Sequence, residues 1–385
     1  MTGRERYVLL RDDREDRTTV FADPLDIVTV RERADFEPAF ARLQTAHEAG
    51  RWIAGFMSYE AGHLFEEKLA PFAIDNRPTP LMSFGIFEGP AENHPLAEPR
   101  QRVENEPFLT EPRAAWDFPA YRTRFDRLHR HLRQGDCYQA NLTMPIRARW
   151  SGDPLAAFWS LIERQPVRYG AFVSLDGPLI LSRSPELFFD IDGDGWIETH
   201  PMKGTAPRGR DAAEDADIAA AMRADPKTQA ENRMIVDLLR NDISRITEVG
   251  TLDVPKLFAV ETYPTVHQMV SHVRAKLVPG TTIRDIFAAL FPCGSVTGAP
   301  KMRAMEILHD LEETPRDAYC GAIGVIAPDG TMRFNVAIRT ISLFDDGEAV
   351  FNVGGGIVFD SQAESEYEEC LLKARFAVGD QWISR

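Results

Sequence analysis

The alternation of apolar and polar positions divides the chain into strand-like and helix-like stretches. Ile27-Val28-Thr29-Val30 and Trp52-Ile53-Ala54-Gly55-Phe56-Met57 have the length and side-chain types of strands, and a helical segment around Phe36 to Ala49 lies between them. From Glu88 to Asp117 the periodicity fades and prolines accumulate, at Pro90, Pro95, Pro99, Pro107 and Pro112, which reads as a long excursion or linker. A boundary near residue 115 follows: residues 1–115 as an N-terminal α/β subdomain carrying the Pro-rich excursion (about 88–117), and residues 118–385 as a second, larger domain, with the first part still able to pack onto the same sheets. Beyond it, Tyr121 to Arg133 is predicted helical, and Cys137 to Ile146 and Gly170 to Leu175 are predicted strands. Leu179 to Ile191 and Trp196 to Thr199 flank a turn at Asp192-Gly193-Asp194-Gly195, and later hairpins are marked by Pro328-Asp329-Gly330 and Asp345-Asp346-Gly347. Helices fall between groups of strands rather than alternating with them one for one, so the expected class is α+β with antiparallel sheets.

Composition narrows the picture. A chain of 385 residues with 44% hydrophobic and 27% charged residues is long enough for a large core, and none of its apolar runs reaches the roughly 20 residues that span a bilayer. Met1-Thr2-Gly3-Arg4-Glu5-Arg6 leads into only a short apolar run, so neither a signal nor an anchor is expected and the expected location is cytoplasmic. A formal net charge of −15 argues against a nucleic-acid surface. An anionic ligand would then need a locally positive site built from Arg, Lys or a metal. Cys137, Cys293, Cys320 and Cys370 are far apart, without a Cys-x-x-Cys pair, and read as reduced thiols in or near the core.

Candidate chemistry begins at Lys203, in the turn Thr199-His200-Pro201-Met202-Lys203-Gly204-Thr205, downstream of Ser184-Pro185-Glu186. A lysine attacks as a nucleophile only if burial or neighbouring cations lower its pKa; otherwise it is a solvated surface charge. Asp225-Pro226 caps a helix running to Ile243, in which Glu231 lies four and seven residues before Ile235 and Leu238 and shares their inward face. A carboxylate there is either paired with an arginine or bound to a metal. Ser361-Gln362-Ala363-Glu364 has a capping-box pattern opening a second helix, and Glu366, Glu369 and Lys373 follow on one face, beside Cys370 and Ala374. Two carboxylates one turn apart suit magnesium, the alternative being an exposed Glu369/Lys373 pair.

Val353-Gly354-Gly355-Gly356-Ile357 ends a strand where backbone amides can approach an anion, and Ser295-Val296-Thr297-Gly298-Ala299-Pro300-Lys301 is a loop entering a helix at Pro300 without P-loop spacing. Arg339, in a strand-like stretch, requires an anion: a substrate carboxylate or a buried aspartate. Taken alone, Tyr319 and His267 read as core residues, and Cys293 lacks a histidine partner and does not read as a nucleophile.

The ordered set Gln139-Ala140-Asn141-Leu142, Ser184-Pro185-Glu186, Lys203-Gly204-Thr205, Glu231-Asn232, Val236 to Asp242, Thr297-Gly298-Ala299-Pro300-Lys301, Ile338-Arg339-Thr340, the triple glycine and Glu366 to Lys373 resembles the chorismate-utilising enzymes over about residues 118 to 380. That family comprises the large subunits of anthranilate and aminodeoxychorismate synthases together with isochorismate and salicylate synthases. The resemblance implies a fold like that of anthranilate synthase component I, two antiparallel β-sheets packed as a sandwich with outer helices. It implies substrate contacts at Gln139, Gly204, Thr205, Thr297, Gly298, Tyr319, Arg339, Gly354, Gly355, Gly356 and Lys373, and Mg²⁺ held by Glu231, Glu366 and Glu369.

Two positions separate the branches. Water-adding members carry a lysine base where this chain has Gln139, and anthranilate synthases typically carry alanine where it has Lys203, which is the mark of the aminodeoxychorismate synthase component I branch of folate synthesis. That branch implies Glu186 as general acid at the C4 hydroxyl, Lys203 as nucleophile at C2, and amination at C4. With no Gly-x-Cys-x-Gly elbow in the chain, the ammonia is expected from a glutamine amidotransferase partner or from free ammonium, with homodimerisation left open. The alternatives are an anthranilate synthase large subunit and a non-catalytic chorismate regulator. Gln268 stands where many relatives have histidine, with His267 one place earlier, and the inhibitor-binding motif of feedback-regulated relatives is not evident.

Overall fold

Strands Tyr7–Asp12, Arg17–Ala22, Tyr169–Ser174, Leu179–Ser184, Thr340–Leu343, Glu348–Val358, Gln139–Trp150, Leu109–Ala114 and the short Gly298–Ala299 form one antiparallel sheet. Strands Asp26–Val30, Met82–Phe87, Trp52–Met57, Ala322–Ile326, Met332–Val336, Leu187–Ile191, Trp196–Thr199, Val266–Lys276, Met202–Pro207 and Asp253–Thr262 form a second. These are features of a computed structural model, which describes residues 4–73, 77–100, 107–263 and 266–379. The two-sheet α+β architecture is the one expected.

Successive side chains point to opposite faces, and the central strands are buried at consecutive positions, so each sheet has two apolar faces. A cluster including Phe21, Phe56, Phe87, Val173, Ile180 and Ile323 joins strands of both sheets. The opposite face of the first sheet, with Leu142, Met144, Phe351 and Val353, packs against helices Phe118–Gln134, Pro154–Arg164, Lys301–Glu312 and Ala363–Val378. The second sheet buries Val28, Ile53, Phe84, Phe189 and Val273 against helices Phe36–Glu48, Pro226–Ser244 and Ile283–Leu290. Both sheets draw strands from either side of residue 115. Trp52–Met57, for example, is hydrogen-bonded between Met82–Phe87 and Ala322–Ile326, and the second pairing covers an edge that an isolated N-terminal unit would expose. The Pro-rich stretch contains a short turn of 3₁₀ helix at Pro95–Ala97 and the strand Leu109–Ala114, while 101–106 lie outside the described residues.

Three local expectations need correction. The stretch Leu179 to Ile191 is two strands in different sheets, because Pro185 has no N–H to continue a ladder and the chain crosses from one sheet to the other at Pro185-Glu186. Arg339 is likewise between strands, Met332–Val336 of one sheet and Thr340–Leu343 of the other, with a left-handed φ of 52°. The helix expected from Ser361 begins at Ala363; instead of closing a capping box, the Ser361 hydroxyl accepts from Val358 N and donates to Glu366 Oε1 at 2.7 Å.

Candidate active site

The two crossings run side by side. Arg183 N donates to Arg339 O at 3.0 Å, Val336 N donates to Glu186 O at 3.1 Å, and the Ser184 hydroxyl donates to Val336 O. Glu186 and Arg339 are thereby carried into the same gap between the sheets. Lys203 reaches them from Met202–Pro207, the edge strand of the second sheet. Its register with Val266–Lys276 slips between Lys203 and Thr205, a bulge made at Gly204, whose φ of 73° is left-handed. Gln268 holds that bulge, donating from Nε2 to Gly204 O at 2.7 Å and accepting from the Thr205 hydroxyl at 3.1 Å. A bulge redirects the side chain beside it, and here that side chain is the lysine.

The floor is the glycine strand. A Cβ on Gly356 would lie 2.9 Å from Gln139 Nε2 and 3.2 Å from Lys203 Nζ, and a Cβ on Gly355 would lie 3.0 Å from Glu366 Oε2. The glycines therefore leave room that any side chain would fill, directly under Gln139, Lys203 and Glu366. Lys373 Nζ donates to Gly354 O at 2.8 Å. Gln139 is buried, with neither amide atom hydrogen-bonded, so its donor and acceptor are both free for a ligand.

Electrostatics match this geometry. Burial pushes Glu186 up to about 7, against opposing pulls from the Ser295 hydroxyl, Lys203 and Arg339, so it carries a proton near neutrality. Lys203 keeps some accessible surface, but the protein around its ammonium is dense enough that desolvation, helped by Lys373, lowers its pKa despite Glu231, Glu186 and Glu369. Arg339 is brought down to about 10 by burial, with Glu186 opposing, and remains a cation at neutral pH. Neither an ion pair nor a hydrogen bond engages its guanidinium among the described residues, so the buried-aspartate alternative does not apply. The site thus has a proton donor, an amine with a lowered pKa and an unpaired guanidinium within an acidic protein.

The predicted metal ligands face the same space. Burial raises Glu366; Ser361 opposes this, and the nearby charges of Glu369 and Glu231 add to the rise. Burial works against ionisation of Glu369 too, but Lys373, in contact at 2.7 Å, holds it below its ordinary value. Glu231 departs from expectation. Asn232, bonded to Ser271, and not Glu231, occupies the inward face of helix Pro226–Ser244, and Glu231 sits half-buried on its flank, 4.0 Å from Lys227. Glu366, whose proton affinity is raised by the charges of Glu369 and Glu231, marks a concentration of carboxylates of the kind that suits a hard divalent cation. Among the described residues, however, the one group of three whose ligand atoms all lie within 4.8 Å of one another is Glu198, His200 and His272.

Other predicted contacts have structural partners of their own. The Thr297 hydroxyl donates to Cys293 O and Gly294 O, both at 3.2 Å, and Thr297 O accepts from Asn141 N. A Cβ on Gly298 would lie 2.2 Å from Gln139 O, so this glycine permits the close pairing that positions Gln139. Tyr319 is buried in the core and Thr205 is exposed. Ser295, beside Glu186 and 3.3 Å from Cys293 Sγ, was not singled out; its loop was, but no spacing ties it to Glu186. Arg316 was also missed. It is buried, paired with Glu312 and donating to Val296 O and Asn141 O, and so fixes the loop and the strand on either side of Gln139.

A proton donor, a desolvated amine and a glycine floor between two crossing strands define an enzyme site, and the chain belongs to the family of chorismate binding enzymes, whose model matches residues 5–379. Within that family it is 37% identical, over 96% of its own length and 84% of the relative's, to aminodeoxychorismate synthase component 1 of Escherichia coli strain K12. It is 44% identical to the protein of the same name from Klebsiella aerogenes over 66% of this chain and 56% of that one. The crystal structure of anthranilate synthase component I from Streptococcus pneumoniae TIGR4 superposes with a TM-score of 0.78 at 25% identity, covering 97% of this chain and 92% of that one. No helix among the described residues is long and apolar enough to cross a membrane.

Proposed function

We propose that this chain converts chorismate and ammonia to 4-amino-4-deoxychorismate and water. The observation that carries the reading is the opposite displacement of two facing groups, a carboxyl that retains its proton to about pH 7 and a lysine whose ammonium is destabilised. The likeness in sequence to aminodeoxychorismate synthase component 1 supports the choice of reaction.

Glu186 gives its proton to the C4 hydroxyl, which leaves as water, while the neutral amine of Lys203 forms a bond to C2 and the ring double bonds shift between the two positions. Ammonia then bonds to C4, the double bonds return, and the C2–N bond to Lys203 breaks with its electron pair going back to the amine. Arg339, whose guanidinium no ion pair or hydrogen bond engages among the described residues, and Lys373 would orient the enolpyruvyl carboxylate, and the free Gln139 amide would contact the ring side of the substrate. Magnesium held by Glu231, Glu366 and Glu369 would neutralise the ring carboxylate within this acidic site. The ammonia would come from a separate glutamine amidotransferase chain or from ammonium, in the cytoplasm, and the enolpyruvyl group is retained for a separate lyase.

The test is mass spectrometry of products from chorismate, Mg²⁺ and an ammonium salt, with Lys203→Ala in parallel. Aminodeoxychorismate without pyruvate, lost or diverted in the variant, is the expected result. Anthranilate plus pyruvate would move the protein to the anthranilate synthase branch, and binding of chorismate without turnover would make it a regulator.

A further inference from the structure

Apart from the cleft, the second sheet carries a histidine–carboxylate cluster that the reaction does not use. His200, in the connection that follows strand Trp196–Thr199, and His272, on the adjacent strand Val266–Lys276, stack with ring centroids 3.8 Å apart. His200 Nε2 lies 2.7 Å and His272 Nδ1 2.9 Å from the same atom, Glu198 Oε1. The other nitrogen of His272 is buried without a hydrogen bond, and Glu261 Oε1 stands 3.6 Å from it. From this arrangement we infer a binding site for a zinc-class divalent ion, with His200 Nε2, His272 Nδ1 and Glu198 as ligands and Glu261 behind His272.

Two imidazoles aimed at one carboxylate oxygen form a convergent set of nitrogen and oxygen donors. Zinc holds imidazole nitrogen at about 2.0–2.1 Å, which places tetrahedral donors roughly 3.3 Å apart. The distances here would open by about half an ångström to admit the ion, a rotamer-scale adjustment. Each ring then keeps its single proton on the nitrogen facing away from the metal. For His272 that nitrogen faces Glu261, and a carboxylate behind a metal-bound histidine is the usual device for fixing its tautomer and orientation. Glu198 and Glu261 supply negative charge, against Arg14, 3.9 Å from Glu261, and Lys256, opposite His272 in the strand pair. The Glu198 and His200 side chains are 37% and 20% exposed, so an ion reaches the site without unfolding and a water can complete its coordination.

Imidazole nitrogens suit zinc, cobalt, nickel or copper and not magnesium, which separates this site from the carboxylates of the cleft. An ion here would tie the backbone three residues before Lys203 to the neighbouring strand. No sequence spacing announces the site, because His272 lies seventy-two positions beyond His200 and only strand pairing brings them together.

Titration of the chelator-treated protein with Co²⁺ and Zn²⁺ in excess Mg²⁺ tests it, read by the visible cobalt spectrum and by calorimetry. One equivalent with the absorption of four- or five-coordinate cobalt is expected in the wild type. Loss of those bands and roughly 100-fold weaker zinc binding are expected for His200→Gln and His272→Gln, with about tenfold weakening for Glu261→Gln. Because His200 lies outside the strands, His200→Gln alone decides the question if His272→Gln fails to fold. No uptake by the wild type, unchanged uptake in His200→Gln, or uptake abolished by Glu369→Gln would each overturn the assignment, the last by placing the ion in the cleft.

Discussion

Gly356→Ala measures how tightly the nucleophile is positioned. The new Cβ would lie 3.2 Å from Lys203 Nζ and 2.9 Å from Gln139 Nε2, where ordinary contact begins at about 3.4 Å. Lys203 must retreat by a few tenths of an ångström and Gln139 by about 0.5 Å. Both atoms end flexible side chains, so the fold should lose less than about 1 kcal/mol. Catalysis should suffer more: at roughly 100-fold per 1 Å of misplacement, the shift of Gln139 corresponds to roughly tenfold, or about 1.4 kcal/mol of barrier, and the smaller retreat of Lys203 to roughly two- to threefold. The neighbouring Gly354→Ala provides the contrast, since its Cβ would lie 2.5 Å from the backbone oxygen of Leu142, which cannot swing away. The assays are turnover with ammonium as nitrogen source and thermal unfolding of both variants. A slow but stable Gly356→Ala beside a destabilised Gly354→Ala is the expected pair. Wild-type kcat in Gly356→Ala, with Lys203→Ala inactive, would show that the reacting amine is not held over the glycine strand.

Glu186→Gln should reduce kcat by about 10²–10⁴ and remove the fall in activity above about pH 7 that deprotonation of Glu186 produces. Its effect on stability has the opposite sign: folding raises this pKa from 4.5 to about 7, so the penalty is absent below 4.5 and grows as pH rises through about 7, and denaturant unfolding at pH 8 should find the glutamine variant more stable by at most roughly 3 kcal/mol. Arg316→Met leaves Glu312 buried and uncompensated beside Asn141 and Val296, and a shift in urea midpoint corresponding to about 3–5 kcal/mol is expected. Chelation of magnesium should abolish turnover and its return restore it, and Glu369→Gln should raise the magnesium needed for half-maximal rate by roughly tenfold or more; indifference to both would remove the cation from the mechanism.

Element types were largely legible from the chain. Asp225-Pro226 caps its helix, Gly195, Gly330 and Gly347 at the hairpin turns take left-handed φ, and the helix at Phe36 ends within a residue of expectation. Misreadings arose where a local pattern had two outcomes. Ser361 has the sequence of a capping box but bonds to Glu366, and Glu231 has helical spacing to Ile235 but lies on the flank because Asn232 has a partner inside.

By itself the sequence determined the strand and helix periods, the acidic background, and the residue types from which a lysine nucleophile, a carboxyl acid and a carboxylate cation site can be built, because these depend on side chains a few positions apart. Tertiary structure decided what those residues became. Pro185 and Arg339 mark no crossing until two sheets exist for the chain to pass between, and the pKa values of Glu186 and Lys203 move toward each other only when packing removes water from around both. The pairing of Glu198 with two histidines depends on the same cause, since strand register joins residues far apart in the chain and short-range periodicity carries no record of it.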